Sequence, residues 1–308
     1  MIALARWWFA PAPAQRLAAL RIAIGGFAVI WLVGRLGEVL ALAQLPAAQL
    51  APVGVVRVLS QPLPGAVVVA IAVVTIALLL AMTAGAWFRV TAPLAALGLL
   101  WTMSYRNSWG MVFHTEHLLV LHVLALACLP AADAWSLGGA RDRAPPAGYG
   151  WAVKLLAAIT CATYLLAGIA KLRLGGLDWV AGDQLRNQIA IDNLRKALLG
   201  AATAPLARPL ILHPGALAGL AIATLAIELG APLALLGRRI ARVWLWSAWG
   251  FHVGVVLAMN VWFPYPLVGV AFLPLIDAER VGALVARLRR GRQPSERGRT
   301  GPARMPDR

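Results

Sequence analysis

Eight stretches of this chain are almost free of polar side chains, and they follow one another at intervals along nearly its whole length. They lie near 17–37, 66–84, 90–105, 117–131, 151–172, 216–236, 241–259 and 262–276. A helix that crosses a bilayer needs about 20 predominantly apolar residues. The third, fourth and eighth runs fall short of that. They must borrow flanking residues or cross a thinned, protein-lined region. Hydrophobic residues make up 61% of the 308 positions without counting Gly, whereas soluble domains average about 45–50% with Gly included. The expectation is an all-α polytopic membrane protein, a bundle of about eight transmembrane helices. The first run is too long for a cleaved signal peptide, and no small-x-small site follows it before a soluble domain. No polar stretch is long enough to form a second core, so one membrane domain is expected over 1–278, followed by a basic tail over 279–308.

The net charge of +16 would suit a nucleic-acid partner if the cations were interleaved with aromatic residues. They are not. After Glu279 come Arg280, Arg287, Arg289, Arg290, Arg292, Arg297, Arg299, Arg304 and Arg308, separated by Gly, Pro, Ser and Gln. This pattern reads as a solvated tail on the cytoplasmic side, near anionic headgroups, and not as a nucleic-acid surface. Placing the N-terminus inside puts Arg6, Arg16, Arg89, Arg141, Arg143, Arg238, Arg239 and Arg242 on the same side. The long segment 173–213 carries Arg173, Arg186, Arg195, Lys196 and Arg208 outside, but long loops weigh little in the rule. Within it, DQLRNQIAIDNLRKALL has apolar residues at helical spacing, so an amphipathic segment lying in the outer interface is expected between spans five and six. Eight crossings return the C-terminus to the cytoplasm of a multi-pass cell-membrane protein.

Polar residues inside the apolar runs are few. Cys128 and Cys161 have no CxxC partner and read as small apolar packing residues. No internal repeat of the kind that marks many transporters is visible. The fourth run opens with HTEHLLVLH, in which His114 and His117 are three apart and can share a helix face. Three readings stay open for them: metal ligands, hydrogen-bond partners of loop carbonyls, or proton carriers. Five His in the chain are few for a metal site, and no metal is expected. His252 lies past the middle of the seventh run. Lys171 ends the fifth, in YLLAGIAKLRLGGLDWVAGDQL. A lysine there is costly and marks a site by default. Lys171, His117 and His252 should therefore converge on a cavity in the outer half of the bundle. Glu228 is the deepest acid. It is expected nearer the cytoplasm, either as an ion-pair partner, with Arg21 the candidate, or as a proton relay.

Four stretches carry a family resemblance. They are RLAALRIAIGGFAVIWLVGRLGE, YRNSWGMVFHTEHLLVLHVLALACLPAADAWSL, YLLAGIAKLRLGGLDWVAGDQL and FHVGVVLAMNVWFPYPLVGVAFLPL. They resemble, in turn, the first span, the SW-and-His segment, the Tyr/Ala-Gly/Lys-Leu/Trp/Gly signature, and the His helix with an F-P-Y turn of the horizontally transferred transmembrane (HTTM) domain family. That domain is the membrane module of vitamin K-dependent gamma-carboxylases. The resemblance covers about residues 15–278. It implies that a lysine, matched by Lys171, deprotonates a reduced quinone for an oxygen-driven carboxylation. A poorly hydrated amine gives up its proton more readily and can serve as a base. His117, with His114 second, matches the assisting histidine, and His252 matches the one before the F-P-Y turn. Tyr105, Trp109, Tyr164 and Trp179 are candidates to line a quinone pocket, although aromatic residues at membrane interfaces are expected anyway. The carboxylase also has a large lumenal domain that grips a propeptide, where this sequence runs into its basic tail. The competing readings are a lipid- or small-molecule-binding membrane protein without the chemistry, and a transporter or assembly subunit. If Lys171 were an isolated desolvated amine, Lys171→Ala would leave stability unchanged or slightly raised.

The charge pattern can be tested directly. Reporter fusions at Arg143 and Arg239 are expected to read cytoplasmic and a fusion near Asn193 external; an external signal at Arg239 would overturn the orientation.

Overall fold

The computed structural model describes residues 2–137 and 148–280. Arg141, Arg143 and the basic tail beyond Arg280 lie outside the described residues. Among those described, regular structure is entirely helical. Four helices are long and apolar enough to cross a membrane by length and composition: α2 (Ala14–Gly34), α4 (Gly65–Ala84), α7 (Gly150–Ala181) and α11 (Arg238–Met259). Helix α5 (Phe88–Arg106) has 19 residues and contains Pro93. Helices α6 (His117–Ala127) and α10 (Pro214–Leu229) have 11 and 16 residues. Short helices α1 (Ile2–Trp8), α3 (Leu36–Ala41), α8 (Asp183–Leu198, 16 residues), α9 (Ala207–Ile211) and α12 (Pro264–Leu267) complete the set.

The last apolar run does not form one helix. It divides into α12 and a 3-10 turn at Val270–Leu275. Pro264, Pro266 and Pro274 remove backbone donors, and Gly269 takes a left-handed φ of 80° between the two pieces. Each of these features stops an α-helix from continuing.

The helices are apolar on both sides. Helix α4 buries Val68, Ala72, Leu79 and Met82 against the bundle, yet it exposes Val67, Val73, Val74 and Leu80. A helix facing water would be polar on its outer side. These outer faces suit lipid, and the chain is a membrane protein with transmembrane helices. Helices α2, α4, α5 and α6 pack around one core of Leu17, Leu20, Ile24, Leu79, Leu99, Leu119 and Leu126. Helix α7 packs against α10 and the 3-10 turn at Val270–Leu275, and Tyr164 links it to Trp244 and His252 of α11.

Fixed contacts sort the connections into two ends. At one end Lys154 Nζ donates to Trp8 O at 3.2 Å, Arg16 pairs with Asp277 and Glu279 at 2.5 and 2.7 Å, and Arg238 pairs with Asp277 at 3.2 Å. At the other, Ala51 N donates to Ser108 O, Asn260 Nδ2 to Ala202 O and Leu206 N to Leu257 O. The arginines assigned to the inner side that the structure describes in these contacts, Arg16 and Arg238, share the first end.

Two buried polar devices tie these layers together. Arg21 on α2 is fully buried. Its guanidinium donates to four main-chain carbonyls: Thr83 (3.1 Å), Ala131 (2.6 Å), Ala134 (3.2 Å) and Trp135 (2.5 Å). Arg21 is therefore not the partner of Glu228, as the sequence suggested; five N–H donors on a planar fork suit several carbonyls at once. The second device is His122, also fully buried. Its Nε2 lies 3.1 Å from Leu156 O and its Nδ1 2.6 Å from the Tyr265 hydroxyl. A carbonyl can only accept, so Nε2 carries the proton and Nδ1 accepts from Tyr265. Thr160 extends the chain to Ala271 O at 3.0 Å. The helix-breaking segment is thus held against α6 and α7. Cys161 is buried as expected, whereas Cys128, at the end of α6, is exposed.

Replacing Arg21 with Met should leave four main-chain carbonyls without their donor, those of Ala131 and Ala134 in buried contacts. The loss expected is about 3 kcal/mol or more, read as a lower thermal midpoint and a lower yield of folded protein in detergent; an unchanged midpoint would remove Arg21 from its role as a clamp.

Candidate functional site

Helix α7 presents Tyr164, Gly168 and Lys171 at spacings of four and three, so they share one face. That face meets α10 and α11. Contact is close because of Gly168, where an added Cβ would stand 3.0 Å from the Glu228 Cβ and 2.9 Å from a Leu229 methyl. With the helices this near, Lys171 Nζ reaches Glu228 Oε1 at 2.5 Å. The Glu228 side chain is 3% exposed and that of Lys171 23%, so the carboxylate is enclosed and the amine lies at the edge of the packing. Sequence reasoning put Glu228 nearer the cytoplasm than Lys171; the contact places both at one depth. Helix α7 runs on to Ala181, so Lys171 lies well inside it and not at the end of a span closing near 172.

Beyond Lys171 the helix breaks. Gly176 has φ 54° and ψ −137°, a conformation essentially closed to residues with a Cβ. The break returns the chain through one more turn, so that Trp179 lies beneath Lys171, its ring centroid 5.4 Å from Nζ, within cation–π range.

The histidines separate. His252 is buried on α11, and its Nε2 is 2.6 Å from the Tyr164 hydroxyl. Tyr164 lies within electrostatic reach of Glu228. Phe263 links the two sides, with ring centroids 5.0 Å from His252 and 5.3 Å from His114. His114 is exposed on one side and crowded on the other. Desolvation on the crowded side, His117 and the Lys171 cation hold its imidazole below the ordinary histidine value, and Glu116 opposes them. His117, the first residue of α6, is exposed and makes no side-chain hydrogen bond among the described residues. Lys171, His252, Tyr164, Trp179 and His114 thus gather around Glu228 and Phe263, and His117 reaches this group only through His114. Tyr105 and Trp109 belong elsewhere: they pack edge-to-face at 5.8 Å in a cluster with Val39, Val56 and Val68.

Two elements escaped sequence reasoning. One is the Lys171–Glu228 pair, for which the signal was present: an acid and an amine inside adjacent apolar runs. The other is the support of the His114 loop. Arg106 and Glu116 form a buried pair at 3.1 Å, and Asn107 holds Phe113 through both its backbone groups. No local pattern marks that clamp.

Three polar atoms in the cluster are buried without a hydrogen-bond partner: Glu228 Oε2, His252 Nδ1 and Trp179 Nε1. Unsatisfied buried groups are rare and call for an explanation, such as a ligand or water. Together they offer a carboxylate acceptor, an indole donor and an imidazole nitrogen whose role follows its tautomer, beside aromatic rings. Among the described residues no group of three or more His, Cys, Asp or Glu is placed to hold a metal ion.

The ion pair reverses one expectation. Lys171 is not an isolated amine, so Lys171→Ala should leave Glu228 buried and unpaired and cost about 3 kcal/mol. The double variant Lys171→Ala/Glu228→Gln should recover most of that loss in thermal unfolding. Additive losses would show that the two residues are not coupled.

Neither the curated proteins nor the solved structures include a match to this chain. A model of the HTTM domain matches residues 9–276, a range that takes in α2 through the 3-10 turn at Val270–Leu275 and every residue of the cluster. On that match the chain belongs to the HTTM domain family.

Proposed function

We propose that this protein is a membrane enzyme of the gamma-carboxylase-like class, with Lys171 as its base and a reduced lipid quinone as its partner. The observation that carries this reading is the set of unpartnered buried atoms around the Lys171–Glu228 pair. A quinol is flat and bears two hydroxyls. Glu228 Oε2 is an acceptor suited to such a hydroxyl, His252 Nδ1 meets a hydroxyl as acceptor when Nε2 donates to Tyr164, Trp179 Nε1 is a donor for a ring oxygen, and Phe263 and Trp179 offer aromatic faces. When bound, a reduced quinone supplies the electrons that oxygen-driven chemistry needs.

The chain's own residues handle the proton. Lys171 and Glu228 share one labile proton across a short contact. If it resides on the carboxylate, both groups are neutral and the amine has a free lone pair, the form a general base requires. Tyr164 fixes the His252 ring through Nε2 and leaves Nδ1 to face the site. His114 sits over Phe263 on the accessible side, and this position favours it over His117 as the assisting histidine.

The chain crosses the bilayer eight times in this reading, with both ends cytoplasmic. The alternation of connections between two ends supports it, as does the collection of Arg16 and Arg238 at one of them. The sixth and eighth crossings are short helices continued by 3-10 turns. Helix α8 lies in the outer interface, with Ile189 and Asn193 turned inward and Ile191, Leu194 and Leu198 exposed.

Lys171→Arg decides between a base and an anchored cation. Arg keeps the charge near Glu228 but cannot lose its proton. The expected outcome is normal membrane level and near-normal folding, with quinol-dependent oxygen uptake reduced about a hundredfold or more. An active Arg variant would leave a binding protein without the chemistry.

A further inference from the structure

At the end of the bundle opposite Lys171 lies a cleft of about 350 Å³, walled by the segment joining α1 to α2 and by the starts of α7 and α11. Lys154 and Lys171 are both on α7 and stand about 25 Å apart along it, at about 1.5 Å per residue. The cleft is therefore separate from the cluster described above. Trp7, Arg16, Lys154, Arg238 and Asp277 are among the residues that line it.

We infer that this cleft binds a phosphate group, carried either by an anionic lipid headgroup or by a free phosphate. The charge balance is the first argument. Asp277 is the acid in the lining, and it is already surrounded by Arg16 at 2.5 Å, Arg238 at 3.2 Å and Arg280 at 3.3 Å. Arg16 is further engaged by Glu279. Lys154 has no carboxylate within ion-pair distance among the described residues. Its ammonium has three donors. One goes to Trp8 O at 3.2 Å, and the group sits 5.3 Å from the Trp7 ring centroid. The cleft thus holds a part-buried cation with spare donors and no counter-charge of its own.

The second argument is the frame. Helix α11 starts at the rim with Gly237 as its N-cap and no side chain capping it. The first backbone N–H groups of a helix attract anions. Arg238 adds a side chain that is 74% exposed and pairs with Asp277 at the rim. Basic pockets between helices on the cytoplasmic face suit phosphate headgroups, and this end carries the arginines Arg16, Arg238 and Arg280.

The full chain, purified in neutral detergent, can be titrated with two probes: phosphatidylglycerol, offered in phosphatidylcholine vesicles or nanodiscs, and inorganic phosphate. Binding is read by thermal shift and by native mass spectrometry. The wild type is expected to bind at least one probe, and Lys154→Gln to bind it about tenfold more weakly. Lys154→Arg should retain binding, as should Arg89→Gln, which removes an exposed cation outside the cleft. Retention of phosphatidylglycerol alone identifies a headgroup site; equal binding of inorganic phosphate identifies a free anion. If Lys154→Gln does not fold, Arg238→Gln takes its place, because that side chain is mostly in solvent and Asp277 keeps two other arginines. Binding of neither probe, full binding by Lys154→Gln (by Arg238→Gln where it stands in), or an equal loss in Arg89→Gln would overturn the inference.

Discussion

An amine and a carboxylate held 2.5 Å apart between α7 and α10 set the conditions for the rest of this end of the bundle. Neither could stand there alone, since a charge withdrawn from water without a partner is strongly destabilising. The pair in turn demands that two helices approach closely, and Gly168 supplies the missing Cβ that allows it. It demands a stop to α7 soon after Lys171, which Gly176 provides. It also fixes where Trp179 must fold back. The motif that looks in sequence like a string of unrelated letters is one mechanical unit: Tyr164 orients His252, Gly168 admits Glu228, Lys171 meets it and Trp179 closes the far side.

The remaining buried polar groups solve the same problem without a charge partner. Arg21 spreads its cation over four carbonyls from the last turn of α4 and the segment after α6. His122 stays neutral, accepting from Tyr265 and donating to Leu156. Both arrangements saturate their members, so they stabilise position and leave nothing over for a ligand. The Lys171 cluster differs because it is not saturated. Glu228, His252 and Trp179 each keep one buried atom without a partner, as do Glu116, Trp31 and Trp109 elsewhere among the described residues, but only around Lys171 do three such atoms fall in one cluster.

The sequence made some of this legible. Composition and the spacing of apolar runs determine a helical membrane protein, because they reflect transfer free energy summed over whole segments. Lys171 and His252 stood out in the sequence because polar groups in apolar runs are rare, and the structure brings both into one cluster with Tyr164. The last run was not readable as broken, since hydropathy ignores backbone donors and Pro and Gly alter hydrogen bonding more than polarity. Tyr105 and Trp109 were misplaced for a related reason: nearness in sequence to His114 does not prevent an intervening turn from sending a ring into another cluster. The partner of Glu228 was missed because a span closing near 172 puts Lys171 at a helix end, whereas α7 runs on to Ala181.

The choice of cation at the two ends of the bundle follows from these constraints. At position 21 the chain needs a group that never changes charge and can bond several fixed acceptors in a plane. A guanidinium does both. At position 171 it has a single acceptor, an edge open to the outside and a carboxylate able to take a proton. An ammonium is a compact donor whose proton can leave. Exchanging the two residues would place a labile proton among carbonyls that cannot accept it and a permanent cation beside an acid that could no longer share one. The arginine is bonded to several fixed carbonyls and the lysine to one carboxylate, and the difference lies in what surrounds each rather than in how deeply either is buried.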